Sequence, residues 1–132
     1  MIAIDTNIIL RYVLNDDLRL SEIATELIEQ RGCYMPLLAF TETGYVLRSL
    51  YQAPDTQLLS LMRSVMAQPR VVVEKEARLT LALDGFAQGI DWFDAMLWAS
   101  CPEDATLLTF DRKFAKKAGR MEWQPAVQSV FP

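Results

Sequence analysis

The stretch Met1–Leu10, MIAIDTNIIL, decides the fold prediction for this chain. Its apolar run Ile2–Ile4 predicts a short buried strand, and a second apolar stretch begins at Ile8. Asp5 and two further polar residues separate these stretches, at a point where burial is expected. A carboxylate that directly follows a core strand is typical of two roles, capping of the next helix and ligand binding.

Short apolar runs alternate with amphipathic segments along the rest of the chain. The predicted strands are Ile2–Ile4, Cys33–Met35, Val71–Val73 and Thr106–Phe110. The predicted helices are Leu20–Arg31, Leu37–Tyr51, Leu58–Met66, Ala77–Phe86, Asp91–Ser100 and Arg112–Ala118. This alternation predicts an α/β fold with a mainly parallel central sheet. Because no repeat or linker interrupts the 132 residues, we expect a single domain over residues 1–132.

Composition excludes several classes of chemistry. The chain has no histidine, which excludes Ser-His-Asp and Cys-His catalysis and zinc sites that contain histidine. Hydrophobic residues make up 52% of the chain, which favours a folded globule over disorder. The net charge of −4 does not by itself indicate a nucleic-acid binder. Neither a signal peptide nor a membrane-spanning stretch is predicted, so we expect a cytoplasmic protein without a membrane partner.

Two aspartates directly follow predicted strands. Asp5 follows the first strand and Asp111 follows the last. In open parallel sheets, ligands bind in the crevice beyond the carboxyl ends of the strands, where both side chains would then lie. Aspartate is also a favoured N-cap residue where a strand turns into a helix. Either role is open for each residue taken alone.

Asp94 lies on the apolar face of a predicted helix. At helical spacing it shares that face with Leu97, Trp98 and Cys101. The alternative is a capping box with Asp91 as N-cap and Asp94 three residues later. Capping boxes use Glu or Gln at that later position, because the side chain must reach back to the cap. We therefore favour a functional role for Asp94 and a capping role for Asp91.

Glu42 borders the apolar stripe of the predicted helix Leu37–Tyr51. Most glutamates at such an edge extend into water. If Glu42 instead converges with Asp5, Asp94 and Asp111, each close pair of charges repels by about 3–4 kcal/mol. Such a cluster is stable only if some acids hold protons or a cation neutralises them. A carboxylate-rich site without His or Cys suits Mg²⁺ or Mn²⁺ and disfavours zinc. Such a site is suited to phosphate-ester hydrolysis.

The same residues carry a family resemblance that spans most of the chain. Asp5-Thr6-Asn7, Glu42, Asp94-Ala95 and Thr109-x-Asp111 resemble the motifs of PIN-domain nucleases. Chain length and motif order are most similar to VapC-type toxins of toxin–antitoxin modules. The resemblance implies a parallel sheet sandwiched by helices and a Mg²⁺-dependent endoribonuclease that cleaves structured RNA such as tRNA. It also implies a small antitoxin partner and a homodimer.

Carried over by this resemblance, the metal-binding and catalytic set is Asp5, Glu42, Asp94 and Asp111. Neighbours that would orient water or carboxylates are Thr6, Asn7 and Thr109, with Asp91 as an outer helper or a cap. A metal-bound water would attack the phosphodiester in line and leave 5′-phosphate and 3′-hydroxyl ends.

A basic cluster follows the last acid of the set and consists of Arg112, Lys113, Lys116 and Lys117. These side chains are predicted to hold the RNA backbone, or alternatively to form a solvated helix face. Four aromatic residues are candidates for a dimer or antitoxin interface, with core packing as the alternative: Tyr45, Tyr51, Trp92 and Trp98.

Two other classes of function remain open from the residues. One is another phosphoryl-transfer enzyme or a phosphoacceptor domain on a similar sheet. Haloacid dehalogenase-type phosphatases place a second Asp two residues after the first, where this chain has Asn7. Receiver domains need a lysine after the last strand, and Lys113 is only loosely placed for that role. The other is a non-catalytic interaction module, against which the presence of all four acids speaks.

Overall fold

The computed structural model describes residues 1–130 and forms two compact units, Met1–Glu76 and Ala77–Pro132. Elements of the first unit are α1 (Thr6–Leu14), α2 (Leu18–Thr25), a π-helical segment (Glu26–Arg31), β1 (Cys33–Met35), α3 (Leu37–Ser49), α4 (Asp55–Met66) and β2 (Val71–Val73). Helix α5 (Glu76–Ala87) begins at the boundary, and α6 (Trp92–Ser100), β3 (Leu107–Thr109), α7 (Arg112–Arg120) and β4 (Val127–Ser129) follow. Each unit contains a two-stranded parallel sheet, and the predicted α/β fold class is confirmed.

In the N-terminal unit, β1 pairs with β2 in parallel, with the bounds predicted from the sequence. The predicted strand Ile2–Ile4 is wrong in extent, because it forms only one bridge, from Ala3 to Tyr34. Its backbone still bonds to Tyr34 on both sides. The pairing stops there because Asp5, the next residue, is already the N-cap of helix α1.

The prediction of one continuous helix over Leu20–Arg31 is also wrong. Helix α2 ends at Thr25, and the chain continues as a π-helical turn that closes with the bond from the Gly32 amide to the Leu27 carbonyl, 2.9 Å. The Tyr12 hydroxyl donates to Glu29 of this segment at 2.7 Å. Burial and then the Glu29 carboxylate raise the pKa of Tyr12 to about 12, so the phenol stays protonated at neutral pH.

Helix α3 packs its apolar stripe into the core of the N-terminal unit. Phe40 is fully buried and Leu47 nearly so, and such side chains each contribute about 1.5–3 kcal/mol through burial. The one polar group on this face, Thr43, is also buried, and its hydroxyl donates to the Ala39 carbonyl at 2.7 Å. Because this face points inward, the neighbouring position 42 lies at its edge.

In the C-terminal unit, α6 is built around two buried tryptophans. Trp98 stacks on Trp123 with ring centroids 4.0 Å apart, and its Nε1 donates to the Pro125 carbonyl at 2.8 Å. Trp92 packs edge-on against Phe86. Trp92 and Trp98 are therefore core residues, and the interface role considered for them is wrong for the isolated chain.

Strand β3 pairs in parallel with β4, an element that the sequence analysis did not predict. The register joins Leu107 with Val127 and Thr109 with Ser129. Helix α7 contacts both strands of this sheet. Because α7 starts three residues after β3 ends, the polar residues of this connection are fixed from both sides.

Candidate functional site

Two of the four predicted acids line one cleft in the N-terminal unit. Asp5 and Glu42 contribute carboxylates to a cleft of about 350 Å³. The other lining residues are Thr6, Asn7, Leu10, Arg11, Val46, Leu50 and Tyr51. The cleft therefore combines acidic and polar groups with an apolar wall, as is usual for ligand sites.

Asp5 serves as the N-cap of α1, and its Oδ1 accepts a hydrogen bond from the Ile8 amide at 3.2 Å. The capping role considered for it is thus correct, but it does not exclude ligand binding. Within residues 1–130 the structure has no hydrogen bond to its Oδ2, and the side chain is exposed at the cleft. One carboxylate can consequently hold the helix with one oxygen and meet a ligand with the other.

Glu42 reaches the cleft from α3. It is exposed, as expected for a residue at the edge of the apolar stripe, and Val46 and Leu50 follow it at intervals of four residues along the same side. Thr6 and Asn7 lie in the first turn of α1, beside Asp5. The order of residues on these two helices thus brings polar groups from α1 and a carboxylate from α3 to one surface.

Asp94 of the C-terminal unit lies within the electrostatic influence of two other acids, Asp91 and Asp111. Asp91 is the N-cap of α6 and accepts from the amides of Phe93 at 3.0 Å and Asp94 at 3.3 Å, which agrees with the capping role favoured for it. Burial raises the pKa of Asp94, and the charges of Asp91 and Asp111 raise it further. The negative charges of Asp91 and Asp111 therefore act on the Asp94 carboxyl.

Thr109 and Asp111 form a short polar connection between β3 and α7. The Asp111 amide donates to Thr109 Oγ1 at 3.0 Å, and Asp111 Oδ1 accepts from the Phe114 amide at 3.0 Å. Asp111 is therefore a helix cap as well as a candidate ligand, as Asp5 is. Its side chain remains exposed.

The basic cluster on α7 is heterogeneous. Arg112, Lys113 and Lys116 are exposed, whereas Lys117 is half-buried. Lys117 Nζ donates to the Gly89 carbonyl at 2.9 Å, in the turn that precedes Asp91. Lys117 thus has a structural contact that separates it from the other members of the cluster.

Each unit carries acids whose oxygen atoms suit Mg²⁺ or Mn²⁺. These are Asp5 and Glu42 in the N-terminal unit, and Asp91, Asp94 and Asp111 in the C-terminal unit. Burial, and then the charges of Asp91 and Asp111, raise the pKa of Asp94, and a bound cation would favour its ionised form. Within residues 1–130, however, no three acidic or cysteine side chains are grouped closely enough to form a complete metal site. Metal binding by these residues stays a prediction.

An α/β fold with carboxylates after its strands and in a mixed cleft is typical of metal-dependent phosphodiesterases. The chain matches the PIN domain family over residues 2–120 and belongs to that family. PIN domains are generally metal-dependent nucleases. Comparisons with curated proteins and with solved structures gave no match. None of the helices in residues 1–130 is long and apolar enough to cross a membrane.

Arg11 and Tyr51 also line the cleft, and neither residue was predicted to lie there. Arg11 follows Asn7 by four residues and so lies on the same side of α1, a signal that helical periodicity could have provided. Its guanidinium also donates to Asp16 at 2.9 Å. Tyr51 comes two residues after α3 ends, where helical periodicity no longer predicts direction.

Proposed function

We propose that this PIN domain is a Mg²⁺- or Mn²⁺-dependent endoribonuclease and the toxin of a type II toxin–antitoxin pair. In this proposal it cleaves structured RNA, such as tRNA, and thereby inhibits translation. The observation that carries the proposal is the presence of Asp5 and Glu42 in one cleft beside polar groups of α1. Acidic clefts of this kind are suited to metal-assisted phosphodiester hydrolysis.

The residues that we assign to metal binding are Asp5, Glu42, Asp94 and Asp111. A divalent ion held by such carboxylates supplies Lewis acidity and neutralises the charge of the phosphate. In this proposal Thr6 and Asn7, beside Asp5, would orient the attacking water, and Thr109 fixes the backbone of Asp111. Asp91 holds the first turn of α6 and thereby the position of Asp94.

The reaction that we propose is in-line attack of water on phosphorus. The new bond joins the water oxygen to phosphorus, and the bond from phosphorus to the 3′ oxygen breaks. The products are a 5′-phosphate and a 3′-hydroxyl end. Because the 2′-hydroxyl is not the nucleophile, a single deoxy substitution at the cleavage site leaves the chemical step possible.

The biological setting is part of the same proposal. We assign a small antitoxin, encoded beside the gene, and a second copy of the chain as protein partners, and the cytoplasm as the location. We also treat residues 1–132 as one functional domain. Exposed Lys113 and Lys116, with Arg112, are assigned to contacts with RNA phosphates.

The direct test is to incubate the purified chain with total cellular RNA in Mg²⁺ and in EDTA, and to map the ends. Cleavage that needs Mg²⁺ and leaves 5′-phosphates is expected, and 2′,3′-cyclic phosphate ends would refute the mechanism. We expect the cleavage rate to fall at least about 100-fold in each of three variants: Asp5→Asn, Glu42→Gln and Asp94→Asn. A 100-fold fall corresponds to a loss of about 2.7 kcal/mol of transition-state stabilisation. Glu22→Gln, at an exposed position of α2, is the matched control. Full activity of Asp5→Asn and Asp94→Asn would show that these acids are wrongly assigned.

A further inference from the structure

Helix α3, which carries Glu42, begins without a capping side chain of its own. Its N-cap residue is Pro36, whose side chain offers no hydrogen-bond acceptor to the amides of the first turn. The missing acceptor comes from Glu74, 37 positions after Leu37 in the chain, whose Oε1 accepts from the Leu37 amide at 2.8 Å. A carboxylate near a helix N-terminus also interacts favourably with the helix dipole. The residue that follows β2 therefore caps α3.

The parallel sheet of the N-terminal unit fixes where the Glu74 side chain starts. Met35 is the last residue of β1 and pairs with Val73, the last residue of β2. The Glu74 amide continues this ladder by donating to the Met35 carbonyl at 3.0 Å. Because both strands end at the same edge of the sheet, the residue after β2 lies beside the first turn of the helix that follows β1. Glu74 is half-buried there, so its bond to Leu37 is partly shielded from water.

A second hydrogen bond extends this anchor from Leu37 toward the cleft. The Leu37 carbonyl accepts from Thr41 Oγ1 at 2.8 Å. Thr41 directly precedes Glu42, which lines the cleft and lies about 7.5 Å along the helix axis from Leu37. Burial of Phe40 holds α3 in the core, but hydrophobic burial has no preferred direction. The hydrogen bonds at Leu37 are directional, and they limit how far α3 slides or turns.

We infer that Glu74 is a positioning residue for Glu42: it holds the first turn of α3 so that the Glu42 carboxylate stays at the cleft. Glu74 is not among the residues that line the cleft, so its effect on the site passes through the helix. The inference rests on the proposed function, in which Glu42 binds the metal ion. A displacement of about 1 Å in a reacting site lowers the rate by up to about 100-fold, so a small shift of α3 is sufficient.

Three substitutions of Glu74 separate the hydrogen bond from the charge. Glu74→Ala removes the acceptor. Glu74→Asp keeps the charge but shortens the side chain by one methylene group, which withdraws the carboxylate from the Leu37 amide. Glu74→Gln keeps an oxygen acceptor at the same reach and removes the charge. We expect kcat for RNA cleavage to fall about tenfold or more in the Ala and Asp variants, with KM within about twofold, and to stay within about threefold in the Gln variant.

Asp17→Ala is the matched control, because Asp17 Oδ1 caps α2 through the Leu20 amide at 2.9 Å. Helix α2 belongs to the same unit but contributes no residue to the cleft. This variant should lose stability to urea as Glu74→Ala does, since each loses one helix cap, while its kcat stays within about twofold. Rates are compared at a temperature at which circular dichroism shows every variant to be folded.

Calorimetric titration with Mn²⁺ in the absence of RNA gives a readout that does not depend on cleavage. The Mn²⁺ affinity should fall about tenfold in Glu74→Ala and Glu74→Asp, the loss usual for residues that orient a metal ligand. It should stay unchanged in Asp17→Ala.

A double-mutant cycle tests whether Glu74 acts through Glu42. In the Glu42→Gln background, Glu74→Ala should lower the single-turnover cleavage rate by less than about twofold, because the carboxylate that Glu74 positions is already absent. A purely structural contribution of Glu74 would lower the rate by the same factor in both backgrounds.

The outcomes separate this inference from the proposed function. If Glu74→Ala and Asp17→Ala behave alike in kcat and Mn²⁺ affinity, or if the losses in the cycle are additive, the inference is overturned and the proposed function stands. Equal loss in Glu74→Gln and Glu74→Ala would assign the effect to the charge and also overturn positioning by the hydrogen bond. If Glu74→Ala does not fold, Glu74→Asp and Glu74→Gln decide the question by the same criteria. A chain that neither cleaves RNA nor binds Mn²⁺ overturns the proposed function, and the inference with it.

Discussion

The backbone amide of Asp111 donates a hydrogen bond to Oγ1 of Thr109 at 3.0 Å, across the single residue that separates them. The carboxylate of Asp111 in turn caps α7 through the Phe114 amide. The connection from β3 to α7 is thus fixed by two short-range bonds, one on each side of the Asp111 Cα. A candidate ligand held in this way loses little conformational freedom when it binds a cation.

Replacing Thr109 by Val removes the acceptor and keeps the shape of the side chain. We expect Thr109→Val to lower the free energy of unfolding by about 1 kcal/mol, the usual net contribution of one hydrogen bond. Urea denaturation measures this change. Calorimetric titration with Mn²⁺ should show weaker binding, because the Asp111 backbone is no longer held.

Thr109→Ser is the control for this change, since it keeps the hydroxyl and removes only the methyl group. Its stability and Mn²⁺ affinity should remain closer to those of the unsubstituted chain. If Thr109→Val matches the unsubstituted protein in both measurements, the bond between Thr109 and Asp111 has no positioning role.

Asp94→Asn tests the negative charge around α6. The pKa of Asp94 is raised above its usual 3.8, so the native state holds this proton more tightly than the unfolded chain does. The stability that the neutral carboxyl provides is therefore fully present below pH 3.8 and is lost as the pH rises through the raised pKa. In EDTA at neutral pH, Asp94→Asn should be more stable than the unsubstituted chain by up to about 1 kcal/mol, allowing for solvent screening.

The measurement is urea denaturation of both proteins between pH 3 and pH 7, and its signature is a difference in stability that grows with pH and then levels off. Asp104→Asn, at an exposed turn before β3, shows the effect of removing an ordinary surface charge. A difference that shrinks as the pH rises would contradict the raised pKa.

Local patterns were sufficient to predict much of the fold. The strands Cys33–Met35 and Val71–Val73 have the predicted bounds, because each is a short apolar run whose first and last residues are buried. The start of α6 next to Asp91 was predictable because an N-cap is a local interaction. Strand β4 was missed because the three residues Val127–Ser129 carry a polar centre, Gln128, and become a strand only through pairing with β3.

The site shows the same division between local and distant interactions. Helical periodicity on α3 predicted that Glu42 lies at the edge of the apolar stripe. In the structure its side chain is exposed and lines the cleft. Tyr51 was considered as an interface or a core residue and not as part of the cleft, because its direction depends on how the chain leaves the helix. The π-helical turn at Glu26–Arg31 was missed because its apolar residues fit α-helical spacing equally well over so short a segment.

Two glycines in helices of the C-terminal unit should respond to Ala in opposite directions. A Cβ at Gly85 would lie 2.2 Å from Cζ2 of the Trp123 ring, so Gly85→Ala forces a shift in the Trp98–Trp123 stack. We expect a loss of about 1–3 kcal/mol, as for other overpacked cores. Gly119 of α7 has no neighbour within 4 Å of such an atom, so Gly119→Ala should stabilise the chain by about 0.5–1 kcal/mol through helix propensity.

Thermal unfolding with near-ultraviolet circular dichroism measures both changes, since the tryptophan signal reports the stack directly. The Gly119→Ala variant is the internal control for the effect of one added methyl group. Equal stability of the two variants would show that the Trp123 ring moves aside without loss.

Lys117 and its neighbours on α7 should divide into structural and RNA-binding groups. Lys117 is bonded to the Gly89 carbonyl, so Lys117→Met should lower the free energy of unfolding by about 1 kcal/mol and loosen the turn before Asp91. Lys113→Met and Lys116→Met alter exposed side chains and should change stability by less than about 0.5 kcal/mol.

For RNA binding the order reverses, because removing one lysine–phosphate interaction with a single strand lowers the slope of log K against log salt by about 0.7. Lys113→Met and Lys116→Met should therefore flatten the salt dependence, while Lys117→Met keeps it. Filter binding of a single-stranded RNA, at roughly 50 to 200 mM salt, distinguishes the two groups. A flattened slope in Lys117→Met would show that Lys117 also binds RNA phosphates.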